Sequence, residues 1–125
     1  MHEFLPATLD SVAAARRAVR CFAHDLEVDL DGIVLAVSEA VANAVAHAYG
    51  ESPGTIELSA AASPLEVTVT VRDHGRGLEH ADGQPGAGYG LLIIRRLAQH
   101  VELADTRDGV ALTMAFRRGG AWSAN

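Results

Sequence analysis

Two spacings of apolar residues alternate along this chain, and they predict where helices and strands form. Apolar residues recur every three or four positions from about Asp10 to His24 and from about Leu30 to Ala48, the period of a helix that buries one face. Asp10 or Ser11 is expected to cap the first helix. A third helix is predicted from about Gly90 to His100.

Four strands in two pairs are predicted, and in the first pair apolar residues alternate along each strand. Thr55 to Ala62 and Leu65 to Arg72 form the first pair, while Val101 to Ala104 and Val110 to Arg117 form the second, joined by a turn at Asp108-Gly109. Because short turns make antiparallel hairpins, we expect a mixed, mostly antiparallel sheet. With helices on one face, the predicted fold class is α+β, a two-layer α/β sandwich.

Length and composition fit one packed domain. The chain has 125 residues, 49% of them hydrophobic, and no linker or repeat divides it. We therefore expect one domain over residues 1–125, with its core between about residues 9 and 117.

The charge balance and the cysteine count narrow the class of protein. The net charge of −6, from 10 basic and 16 acidic residues, argues against direct nucleic-acid binding. No apolar run approaches the roughly 20 residues of a membrane helix, and no signal peptide is visible. Cys21 stands alone, which excludes an internal disulfide. A cytoplasmic protein without membrane contact is predicted, with Cys21 as a buried, inert thiol.

The second predicted helix carries one polar stripe. Glu39, Asn43 and His47 are spaced at i, i+4 and i+8, and Glu39 is the one formally charged residue between Ile33 and Ala48. A plain solvent face would explain the stripe. Solvent faces usually carry several Lys and Glu, however, and the neighbours here are alanines that let another group approach closely. A covered polar stripe is the favoured interpretation.

This stripe suits phosphate chemistry. Asn43 offers a neutral oxygen of the kind that Mg²⁺ binds, and Glu39, one turn away, can orient or deprotonate a hydroxyl nucleophile. His47 either contributes to the same site or bonds nearby backbone at the helix end.

Asp73 has the same parity as the apolar residues of its strand, so it should point inward where the strand ends. A buried carboxylate needs a donor. That donor is either a backbone amide of the following turn or a ligand amine, such as the exocyclic amine of adenine. Gly75 and Gly77 would let a ligand lie close to the backbone.

A second glycine motif, Gly88-Tyr89-Gly90-Leu91, is predicted to open the third helix, whose free N–H groups suit phosphate. The βαβ context of a dinucleotide fingerprint is missing, and the chain has no Gly-Lys-Ser/Thr phosphate loop. A Cys/His cluster for zinc is also missing. The three motifs together make a nucleotide site, for ATP, the leading interpretation.

In order and spacing, these motifs resemble those of the GHKL ATPase superfamily, and most closely those of the small anti-sigma-factor serine kinases of the RsbW type. Residues 38–49 are similar to that family's N box, residues 73–77 to its first glycine box, and residues 88–91 to its second. The resemblance runs from Leu9 to Arg117. It implies a Bergerat-type ATP-binding fold that uses Mg²⁺.

The resemblance also assigns roles to individual residues. Asn43 would match the magnesium ligand, Glu39 the general base and Asp73 the adenine-binding aspartate. Residues 78–87 would form a lid over ATP. Nucleotide contacts would come from His47, Tyr89 and Leu91 and from four glycines: Gly75, Gly77, Gly88 and Gly90.

Partners and activity follow from the same resemblance. Such kinases sequester a sigma factor and phosphorylate a serine on an antagonist, the anti-anti-sigma protein of the STAS type; homodimer formation stays open. Histidine kinases usually carry Asn where this chain has Glu39, so Glu39 favours a serine kinase or an ATPase. Two departures, Gly109-Val110 where the family often has Gly-Thr and Gly86-Ala87 before the second glycine box, leave a non-catalytic sequestering module as the alternative.

Overall fold

The computed structural model describes residues 1–48, 54–74, 87–106 and 109–119. Three helices and five strands are formed in these ranges. In chain order they are β1 (His2–Pro6), α1 (Asp10–Ala23), α2 (Leu30–Ala48), β2 (Thr55–Ala62), β3 (Glu66–Asp73), α3 (Ala87–Leu97), β4 (His100–Thr106) and β5 (Gly109–Arg117). None of the helices in the described ranges is both long and apolar enough to span a membrane.

The five strands form one sheet in the order β1-β2-β3-β5-β4, and every neighbouring pair is antiparallel. The helices cover one face. Along β3, the side chains of Val67, Val69 and Val71 are buried against the helices, while Thr68 and Thr70 between them are partly exposed. The predicted α+β two-layer sandwich is confirmed, with a fully antiparallel sheet among the described strands.

Helix α2 lies at the centre of the helical layer and contacts both α1 and α3. Its valines at positions 34, 37 and 41 are buried, as their helical spacing predicts. Together with Ile33, Ile56, Leu58, Ile94 and Met114 they build the core between the two layers.

Several predicted boundaries need correction. Strand β1 was not predicted, because its alternation covers few residues. Helix α1 begins as expected, but Leu9 occupies the capping position and no side chain in the described part caps it; Ser11 instead bonds the carbonyl of Pro6. Leu65 lies outside β3 and is 64% exposed. Helix α3 begins and ends three residues earlier than predicted.

Strand β1 is attached to the sheet by polar contacts as well as by backbone pairing. On the uncovered face, the Nε2 of His2 lies 2.5 Å from the Glu57 carboxylate, and the Nε2 of His74 lies 3.4 Å from its other oxygen. The hydrogen bond from His2 is the main cause that holds the pKa of Glu57 below its ordinary value of 4.5, and His74 adds to it.

Glu57→Gln is therefore expected to reduce the loss of folding stability at acidic pH, and so to flatten the acid limb of the curve of stability against pH. Because the pKa of Glu57 is depressed in the folded protein, its contribution is present above about pH 4.5 and is lost as the pH falls through the folded value. The wild type should therefore lose stability as the pH falls below about 4.5, and the variant should lose less. Urea unfolding at each pH measures this. Parallel acid limbs for the two proteins would contradict the assignment.

Candidate nucleotide-binding site

Two residues of the polar stripe on α2 are half-buried. Glu39 and Asn43 stand one helical turn apart, and both side chains are of intermediate exposure. In the described part of the chain, neither side chain takes part in a hydrogen bond or an ion pair. A carboxylate and an amide without partners, side by side in a partly covered position, are available for a ligand.

Three of the alanines of α2 are covered by neighbouring structure. Ala36, Ala40 and Ala44 are buried. Helix α2 contacts both α1 and α3, and small buried side chains suit close packing within such a layer. The half-buried positions of Glu39 and Asn43 agree with the expected covered stripe.

The start of α3 lies directly on Asn43. A Cβ atom added to Gly90 would stand 2.5 Å from Nδ2 of Asn43 and 3.0 Å from its Oδ1. Real Cβ atoms do not come so close to other atoms, so a glycine is needed here for the amide to keep its place. Asn43, from the polar stripe, and Gly90, from the second glycine motif, are therefore in contact although they are far apart in sequence.

The second glycine motif lies within the first turn of α3, which begins at Ala87. The prediction that Gly90 would open the helix is wrong by three residues. The chemical consequence is unchanged, because the first four N–H groups of a helix lack partners within it and favour anions. Gly88 belongs to this turn; Leu91 is half-buried and packs against the core. The side chain of Tyr89 lies outside the described part.

Asp73 is the last residue of β3 and points toward the helical layer, as its parity predicts. It is 7% exposed. Its Oδ1 accepts a hydrogen bond of 3.3 Å from the backbone N–H of Val110, on β5. Val110 lies 37 residues further along the chain, in a strand that the sheet brings alongside. The turn after Asp73, where a backbone donor was expected, lies outside the described part.

These groups gather at one end of the sheet. Asp73 pairs with Ile56 near the start of β2, and β2 follows directly after the C-terminal half of α2. The same end therefore holds Asp73, the turn of α2 that carries Asn43, and the start of α3. The described part leaves out several predicted site residues: Gly75, Gly77, residues 78–86 of the predicted lid, and the side chain of His47. Ala87, predicted to be in the lid, is helical.

A contact that the sequence did not predict fixes the neighbour of Glu39. The Nε of Arg16, on α1, donates to Oγ of buried Ser38 at 2.7 Å, and Ser38 donates to the carbonyl of Val34 at 2.7 Å. The exposed side chain of Arg16 therefore also ties α1 to α2.

Cys21 is exposed, so the prediction of a buried thiol is wrong.

Other features of the described residues do not compete with this site. No group of three His, Cys, Asp or Glu side chains within those residues could hold a metal ion. A pocket of about 480 Å³, lined by Glu27, Ala62, Ser63, Pro64 and Arg118, lies at the opposite end of the sheet. The pocket lining contains one acidic residue, Glu27, and one basic residue, Arg118, and it contains none of the motif residues.

Known proteins resemble this chain over most of its length. The family model for the histidine kinase-like ATPase domain matches residues 5–116. The anti-sigma F factor of Clostridium acetobutylicum is 34% identical over 79 residues, which cover 61% of this chain and 55% of the relative. The anti-sigma F factor of Heyndrickxia coagulans is 34% identical over 110 residues, or 75% of each chain. The matches to the first two relatives span 55% and 59% of their length.

Solved structures support the same assignment. The structure of the RsbU and RsbW domains of a Mycobacterium tuberculosis protein superposes with a TM-score of 0.73 at 26% identity, covering 94% of this chain and 32% of that one. A histidine kinase domain from Erythrobacter litoralis superposes with a TM-score of 0.63 at 20% identity, covering 94% of this chain and 63% of the other, and shows the same fold. This chain belongs to the family of histidine kinase-like ATPase domains.

Proposed function

We propose that this protein is an ATP-dependent serine-protein kinase that acts as an anti-sigma factor. It would bind a sigma factor and phosphorylate a serine on an anti-anti-sigma protein. The observation that carries the proposal is the contact between Asn43 and Gly90, because it places a free amide at the start of a helix whose N–H groups suit phosphate. The relatives named anti-sigma F factor support the choice of partners.

The residues present fit ATP and Mg²⁺. A magnesium ion in such a site is held by one or two protein groups together with phosphate oxygens and water, so one amide oxygen from Asn43 meets the protein's share. Gly90 leaves the space that this amide occupies. When bound, Mg²⁺ would neutralise phosphate charge. Asp73, at the same end of the sheet, would accept a hydrogen bond from the adenine amine.

Glu39 would act on the protein substrate. Its carboxylate would accept the proton of the serine hydroxyl while the serine oxygen bonds to the γ-phosphorus and the bond from that phosphorus to the bridging oxygen of ADP breaks. The lack of a partner for Glu39 in the described residues fits this role, because a carboxylate already held in an ion pair is a poorer base.

Transfer of labelled phosphate tests the proposal. Wild type is incubated with ATP labelled at the γ-phosphate, Mg²⁺, and an anti-anti-sigma protein encoded beside it. We expect label on a serine of that protein, and different binding of the partner in ATP and in ADP. If ATP binds, no label is transferred to protein, and the partner binds equally well in ATP and in ADP, a non-catalytic sequestering module is the better account. If label appears only as free phosphate, the chain is an ATPase subunit.

A further inference from the structure

The start of β5 contacts Asp73, the carboxylate that would recognise the adenine base. Asp73 and Val110 face each other across β3 and β5, one position beyond the paired residues Arg72 and Ala111. The Val110 amide donates to Oδ1 of Asp73 at 3.3 Å. This hydrogen bond is long, so it contributes little binding energy. Its role is to give the Asp73 carboxylate a direction.

Gly109 permits this contact for two reasons. Its φ of +126° is one that L side chains rarely adopt. A Cβ atom at this position would also stand 2.8 Å from the carbonyl carbon of Asp73 and 2.9 Å from its Oδ1. A side chain here would therefore push the hairpin away from Asp73 and lengthen the bond from Val110.

We infer that Gly109 and the backbone amide of Val110 are positioning groups for Asp73, and that they set the preference of the site for adenine over guanine. This inference rests on the proposed ATP site. Asp73 can distinguish the two bases only if its carboxylate keeps one direction, because adenine presents an amine where guanine presents a carbonyl oxygen. Loss of the hydrogen bond from Val110 would remove one restraint on that direction and so weaken the discrimination.

The backbone of Val110, and not its side chain, makes the hydrogen bond to Asp73. Val110 is half-buried and has no polar side-chain atom. Its contribution to base selection is therefore through its backbone N–H.

Nucleotide titrations of three variants test the role. Gly109→Ala should bind ATP up to about tenfold more weakly, because a misdirected Asp73 would weaken its one hydrogen bond to adenine, and its ratio of ATP to GTP affinity should fall toward that of Asp73→Asn. Gly119→Ala is the matched control, because a Cβ there meets its nearest neighbour at an ordinary 3.5 Å. Thermal unfolding checks that each variant is folded.

The outcomes distinguish this inference from the proposed function. If wild type binds no ATP, the proposed function fails. If wild type selects ATP through Asp73 and folded Gly109→Ala keeps the same ratio, the positioning role is overturned and the ATP site stands. Should Gly109→Ala not fold, amide NMR of Asp73→Asn decides: the Val110 resonance should shift more than that of Ala111, and an unmoved Val110 resonance contradicts the role.

Discussion

Replacing Glu39 with alanine is expected to slow phosphoryl transfer to the serine substrate by about 10²–10⁴-fold, the usual cost of removing a general base. ATP should still bind with nearly the wild-type affinity, because the proposed role of Glu39 begins when the hydroxyl loses its proton. Single-turnover transfer of labelled phosphate measures the rate, and calorimetry measures nucleotide affinity separately.

Asp31→Ala is the matched control for the loss of a carboxylate from α2. The Asp31 side chain is 91% exposed, and its one described ion pair, with Arg20, is long at 3.7 Å. Surface pairs of this kind contribute little to stability, so the control should retain both folding and transfer. Transfer by Glu39→Ala at the wild-type rate would show that Glu39 is not the base.

Gly90→Ala is expected to make the protein as stable as wild type, or more so, and yet much less active. Alanine is favoured over glycine in a helix by about 0.5–1 kcal/mol. The new methyl group would stand 2.5 Å from Nδ2 of Asn43, so the amide must rotate away. Displacing the proposed magnesium ligand in this way should lower Mg²⁺-dependent ATP affinity by roughly 10–100-fold, as mutations beside metal sites do.

A double-mutant cycle checks that Gly90 acts through Asn43. If it does, Asn43→Ala combined with Gly90→Ala should bind ATP no more weakly than Asn43→Ala alone. Additive losses would mean that Gly90 affects the nucleotide by another route, such as the N–H groups of the helix. Melting temperature and affinity, measured on the same samples, separate stability from function.

The sequence predicted the layers of the fold well because each element has a clear apolar period. Helix α2 and strand β2 have the bounds that were predicted, and the parity of Asp73 gave its direction correctly. Strand β1 was missed because five residues, most of them exposed, carry little periodic signal. The strand depends on pairing with β2 and on the contact of His2 with Glu57, both of which are tertiary.

The sequence predicted how candidate residues lie within one element, but not the contacts between elements. Spacing along a helix put Glu39 beside Asn43. Nothing in the local sequence relates Gly90 to Asn43 or Val110 to Asp73, since these pairs meet only when the helices pack and the strands pair.

Calorimetric titration of the whole chain with ATP, with and without Mg²⁺, tests the central claim most directly. The account predicts saturable binding of one ATP per chain, weaker without Mg²⁺, weaker in Asn43→Ala, and much weaker in Asp73→Asn. An absence of heat and of competition at millimolar ATP, in a protein shown to be folded, would contradict the assignment of this end of the sheet as a nucleotide site.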